Sequence, residues 1–138
     1  MSDFVEDLAK FHTMYGLPQP TKPSTEHLPV AARMVDFKRI ISEEVTEVDD
    51  ITAKAGIDEL DDLTDLADWL GDIIVYAASE MVRYGIPVMQ TLSIIMQSNF
   101  SKLDADGNPI IVAGKVGKGP GYWKPEPKLK EMLERARK

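Results

Sequence analysis

An all-α protein built on four main helices is the fold this 138-residue chain predicts. Three observations carry that reading. Apolar residues recur at helical spacing through four long stretches. Prolines fall between those stretches or at their first turns, where a helix tolerates them. The one β-like run, Pro109-Ile110-Ile111-Val112, is short and lies near the C-terminus.

The first stretch, Asp3 to Tyr15, places Phe4, Val5, Leu8, Phe11 and Met14 at helical intervals, and Gly16 and Pro18 end it. The four prolines of LPQPTKPSTEHLP make the next segment an extended connector. Pro29 suits the first turn of a second helix, Val30 to about Ala53, with a stripe at Met34, Phe37, Ile41, Val45 and Val48. Gly56 closes it. A third helix runs from Glu59 to Tyr84 with Leu63, Leu66, Leu70, Ile73, Ile74, Ala77 and Met81, and stops at Gly85 and Pro87. The fourth, Pro87 to about Leu103, carries Val88, Leu92, Ile95, Met96 and Phe100. Turn chemistry follows in DADGNP, then a glycine- and proline-rich stretch suited to a hairpin or ordered loop, and Lys128 to Arg137 resumes a short helical pattern. The length suits one domain spanning 1–138.

Composition narrows the chemistry. The chain has no cysteine, which excludes disulfides, thiolate metal sites and cysteine nucleophiles; His12 and His27 are its only histidines. A net charge of −7 argues against binding a nucleic-acid polymer. Neither a membrane span nor a basic signal peptide is legible, so a cytoplasmic location is expected. Charge is unevenly spread. Acids gather between Glu43 and Asp72, while Lys115, Lys118 and six further basic residues lie in the last part of the chain.

Two acidic clusters interrupt apolar helices: SEEVTEVDD at 42–50 and DLADWLGD at 65–72. With Ile41 at the centre of the second helix's apolar face, Glu44 falls about 60° to one side and Glu47 about 120° on the same side. Glu43 lies about 40° beyond Glu47. Three carboxylates on one strip repel each other unless a cation sits among them. On the third helix Asp68 and Asp72 stand together opposite Leu70, and Asp65 extends their strip. Either these aspartates face solvent on a two-sided helix, or they need a partner: lysine or arginine, helix-terminal amides, or a metal. Oxygen donors with few histidines and no cysteine favour Mg²⁺ or Mn²⁺ over zinc.

Glu43-Glu44-Val45-Thr46-Glu47 followed by Asp68-Trp69-Leu70-Gly71-Asp72 resembles the EExxE–spacer–ExxD signature of the MazG-like, all-α nucleoside triphosphate pyrophosphohydrolases. That superfamily also contains phosphoribosyl-ATP pyrophosphohydrolases and dimeric dUTPases. Further landmarks are similar to those of small phosphoribosyl-ATP pyrophosphohydrolase-like proteins: FHTMYGLP at 11–18, RIISEE at 39–44, Gly85-Ile86-Pro87, SNFSKL at 98–103, DADGN at 104–108 and GKVGKGPGY at 114–122. Together they span nearly the whole chain. One position departs from the signature. Trp69 stands three residues before Asp72, where the second glutamate usually lies; Asp68, one turn before Asp72, is the preferred substitute, and Asp65 with Asp68 is the other arrangement.

The resemblance implies Mg²⁺-dependent (or Mn²⁺-dependent) cleavage of a nucleoside triphosphate to monophosphate and pyrophosphate. Glu44, Glu47, Asp68 and Asp72 would hold the metal, and Glu43 would complete its shell or act as base. Asn99 and Lys102 match the family's nucleotide contacts, and Lys115, Lys118 and Tyr122 are candidate substrate contacts in the glycine-rich segment. Hydrolysis of phosphoribosyl-ATP and a noncatalytic nucleotide-binding or assembly module that kept the fold are the alternative functions. A third helix apolar on most sides cannot be covered within so small a chain, so a homodimer or homotetramer completing the helical bundle is expected.

Overall fold

The computed structural model describes residues 3–138. It is mostly helical, with five helices and a small two-stranded hairpin. Backbone contacts gather into two compact units, Met1–Gly85 and Ile86–Lys138.

In the first unit, α1 (Phe4–Tyr15) begins where the Asp3 carboxylate accepts the N–H groups of Val5 and Glu6. It ends at Gly16 in the left-handed conformation. The proline-rich connector leads to α2 (Val30–Lys54), and a short turn leads to α3 (Glu59–Arg83), capped by Asp58. α3 is the organiser, packing against both α1 and α2. His12, expected on an amphipathic helix, is fully buried: Nδ1 donates to the Pro18 carbonyl at 2.8 Å, and Nε2 meets the Ser79 hydroxyl at 2.7 Å. It ties α1, the connector and α3 together. The connector also crosses Gly85, where any Cβ would collide with the Lys22 and Pro20 carbonyls, so only glycine fits.

Two cross-links fix how α2 meets α3. Near the start of α2, the Arg33 guanidinium donates to the Glu80 carboxylate through Nε (3.0 Å) and Nη2. Farther along, the Trp69 indole N–H donates to the backbone carbonyl of Glu44 at 2.7 Å. The two links are eleven residues apart on both helices, with chain order reversed, so the helices run antiparallel in one register. Eleven residues are about three turns, which returns to the same face of each helix.

In the second unit, α4 (Val88–Phe100) starts after Pro87 and packs against α5 (Glu126–Ala136). α5 opens two residues earlier than its apolar spacing predicts because Pro125 and Pro127 are accommodated at its first turn. Between them β1 (Ile111–Val112) and β2 (Lys115–Val116) pair antiparallel around Ala113-Gly114, both with positive φ. Ser98, almost fully buried, donates to the Trp123 carbonyl at 2.8 Å, while Ser101 accepts the Trp123 N–H. The loop closes tightly on the end of α4, since a Cβ at Gly119 would strike the Leu103 carbonyl.

The third helix is not buried within one chain. Leu60 is 72% exposed and Ile74 58%, and Leu63, Leu66, Leu70, Val75 and Tyr76 are also open. Among the described residues the buried hydrophobics are only Leu8, Ala78, Tyr84 and Val88. Apolar spacing identified the helix correctly, and most of its apolar circumference is not covered within one chain.

Candidate functional site

The acid cluster forms in the first unit, where α2 and α3 run side by side. Glu44 is the most enclosed of its members, 8% exposed, and its Oε2 has no hydrogen-bond partner. A partnerless buried carboxylate oxygen is unfavourable by about 1–3 kcal/mol. Glu47, one turn on and exposed, has its carboxyl held above the usual range, chiefly by the charge of Glu44, with Asp72 and Asp50 adding to it. Tyr76, one turn after Asp72 on α3, has its phenol pushed up by partial burial and then by the charges of Glu44, Asp72 and Glu47. Glu44, Glu47, Asp72 and Tyr76 are thus near enough on the facing stretches of α2 and α3 to influence one another electrostatically.

The other acids stand differently. Asp68 is exposed one turn before Asp72, and Asp65 is half-buried nearer the α2–α3 turn. Glu43 is exposed and pairs with Arg39 across one turn, Nη1 to Oε1, at 3.4 Å. Among the described residues, no three Asp, Glu, His or Cys side chains are gathered tightly enough to grip a metal as they stand. The position where the signature expects a glutamate holds the Trp69 indole, which donates to Glu44's own carbonyl.

Tyr76 was missed in the sequence. Its signal was present: it falls four residues after Asp72, so the two share a face of α3. Within a run as apolar as IIVYAA, a tyrosine reads first as packing.

In the second unit, Lys102 and Lys118 converge on one aromatic ring. Their ammonium groups lie 5.8 Å and 5.1 Å from the centre of the Tyr122 ring. Three of the expected substrate contacts therefore meet. Asn99 is exposed in the last turn of α4, where the buried neighbour is Ser98. Lys115 is exposed on β2. A separate open cleft of about 680 Å³ lies between α4 and α5, bordered by Gln90, Ser93, Lys128, Glu131 and Arg135.

Among the described residues, no helix is long and apolar enough to cross a membrane. No family model and no curated protein matches the chain. Among solved structures, the chain is similar to a "putative NTP pyrophosphohydrolase" from Exiguobacterium sp. 255-15. That match has a TM-score of 0.55 at 22% identity, covering 97% of this chain and 95% of the other. Agreement end to end at such low identity is agreement of backbone. The chain therefore has the fold of that structure over nearly its whole length, the all-α fold that the EExxE landmarks had led us to expect.

Proposed function

We propose that the protein hydrolyses nucleoside triphosphates to monophosphate and pyrophosphate with Mg²⁺, Mn²⁺ serving in its place. The observation that carries this reading is the enclosed Glu44 carboxylate, partnerless at Oε2 and crowded by Glu47 and Asp72. A structural acid would be neutralised by a lysine or arginine; this one is surrounded by further acids and a phenol.

The donor set fits a hard divalent ion. It offers oxygen only, at least one oxygen is unsatisfied, and repulsion within the set would be relieved by a cation. Glu44, Glu47 and Asp72 would hold the ion, with Asp68 able to join from the preceding turn of α3. When bound, magnesium supplies charge neutralisation of the phosphates and a lowered pKa for a coordinated water. The chain supplies the rest. Exposed Glu47 and Asp72 are free to rotate toward the enclosed Glu44. Glu43, the exposed neighbour of Glu44 in sequence and paired with Arg39, is the candidate to accept the proton of the attacking water. Tyr76 offers a hydroxyl to a phosphate oxygen or to Glu44. Within the second unit, Lys102 and Lys118 over the Tyr122 ring are two cations suited to contact phosphate, and Asn99 and Lys115 are further candidate substrate contacts.

The exposed face of α3 supports assembly into a homodimer or homotetramer, since so many large apolar side chains on one helix require cover. Light scattering tests this. The activity is tested by pyrophosphate release from a panel of ribo- and deoxyribonucleoside triphosphates and phosphoribosyl-ATP, with and without Mg²⁺. Release that requires Mg²⁺ and disappears in Glu44→Gln and Asp72→Asn is the expected result. The Trp69 substitution favours a second reading, a noncatalytic nucleotide-binding module; nucleotide binding without metal that survives both changes, with no turnover, would establish it.

A further inference from the structure

We infer that Trp69 is a positioning residue for the acid cluster: its indole N–H, bonded to the Glu44 carbonyl, ties α3 to α2 at the level where Glu44, Glu47 and Asp72 meet. The inference rests on the metal-dependent reading above.

Glu44 lies in the middle of α2, where its carbonyl already has a helical partner in the N–H four residues on. The indole N–H at 2.7 Å uses the second lone pair. Backbone satisfaction does not require it, so its effect is between helices. The tie also sits where one is needed. At the other cross-link, Arg33 and Glu80 attract each other; here α2 contributes Glu44 and Glu47 and α3 contributes Asp72, all of one sign. Like charges push the helices apart at this level. A neutral donor aimed at a carbonyl holds them together without adding to the repulsion.

Geometry along α3 ties the indole to the site. Asp72 and Tyr76 follow Trp69 by three and seven residues, which places them about 60° and 20° from it around the helix. Whatever fixes Trp69 against α2 therefore fixes where the Asp72 and Tyr76 side chains begin. A carboxylate in its place would supply a ligand and lose the tie. Trp69 does the opposite, leaving fewer acids in a more closely specified arrangement.

Electron paramagnetic resonance of free Mn²⁺, titrated against wild-type protein, Trp69→Phe and Glu44→Gln, separates the possibilities. Trp69→Phe keeps an aromatic ring and removes the N–H. We expect it to weaken Mn²⁺ binding about tenfold, the scale of losses from groups that orient metal ligands. Its kcat should fall more than its KM changes, and the metal-free melting temperature should shift by only a few degrees. In Trp123→Phe protein, Trp69 is the sole indole of the two in the chain. Exciting it should sensitise Tb³⁺ emission, and Glu44→Gln should remove that signal; this measurement stands even where Trp69→Phe folds poorly. Wild-type Mn²⁺ affinity and kcat in Trp69→Phe, or Mn²⁺ binding without sensitised Tb³⁺ emission, would overturn the tie while leaving the metal reading intact. Equal Mn²⁺ binding by wild-type and Glu44→Gln protein would overturn both.

Discussion

Two charge clusters lie on the same pair of helices, eleven residues apart on α2 from Arg33 to Glu44 and eight on α3 from Glu80 to Asp72, and they are built on opposite terms. At one end Arg33 and Glu80 form a two-pronged ion pair with Arg83 alongside, Nε to Oε1, at 3.4 Å. Hydrogen bonding to Glu80 holds the Arg33 guanidinium more firmly protonated, whereas burial and then the neighbouring Arg33 charge ease Arg83 the other way. Glu80 is the counterion of both arginines, and the buried Arg83 Nε is held by charge alone, without a hydrogen-bond partner. At the other end Glu44, Glu47 and Asp72 share one sign, and the buried Glu44 Oε2 has no partner. The difference teaches which charges belong to the fold. Opposite charges that attract one another hold helices in place; like charges held together by the rest of the structure mark the candidate site.

The largest expected effects fall on the unsatisfied end. On the proposed reading, Glu44→Gln should lower pyrophosphate release at least about a thousandfold, because it removes a ligand from the group that would hold the metal. Its stability without metal should be unchanged or slightly improved. Should Glu44→Gln retain wild-type turnover, the contrast between the clusters would lose its functional meaning.

Glu80→Ala inverts the pattern. It strands two half-buried arginines, so unfolding free energy should drop by about 3 kcal/mol, readable by urea denaturation. Turnover per folded molecule should stay near wild type. Loss of activity without loss of stability would mean that the Arg33 end belongs to the site as well.

Lys118→Ala is expected to act on binding more than on chemistry. One charge-assisted phosphate contact is worth about tenfold in affinity, so KM should rise by about that factor with kcat changed little. Steady-state kinetics at fixed Mg²⁺ resolve the split.

The smallest effect is on pH dependence. Glu47 titrates above its ordinary value of about 4.3 in the folded chain, so the folded state binds the proton more tightly than the unfolded. That makes the metal-free protein lose stability as pH rises through the folded pKa and recover it on acidification. Thermal melts between pH 4.5 and 7.5 should show a small decline on the alkaline side. The decline should vanish in Glu47→Gln and reverse with added Mg²⁺.

Most of the fold was legible because helices announce themselves locally. α3 could be read from its apolar run and its Gly-Ile-Pro stop, and Asp58 and Pro29 lie where helix starts require them. The site was legible in part. The spacing of Glu44 and Glu47 placed them on one strip, and Asp72 joins them across the helix pair. Tyr76 was hidden by apolar neighbours, and Trp69 read as a missing ligand when its N–H serves a carbonyl twenty-five residues away. The exposure of α3 in a single chain agrees with the expectation that so small a chain cannot cover it, but periodicity reports only that a face is apolar and does not report what covers it.

By itself the sequence determined the helices, their ends and the composition of the site, since these depend on residues within a turn or two of each other. Tertiary structure alone decided the α2–α3 register, and with it which acids meet, which arginine finds Glu80 and where the indole points. Those choices depend on groups far apart in the chain, and no local pattern encodes the distance between them.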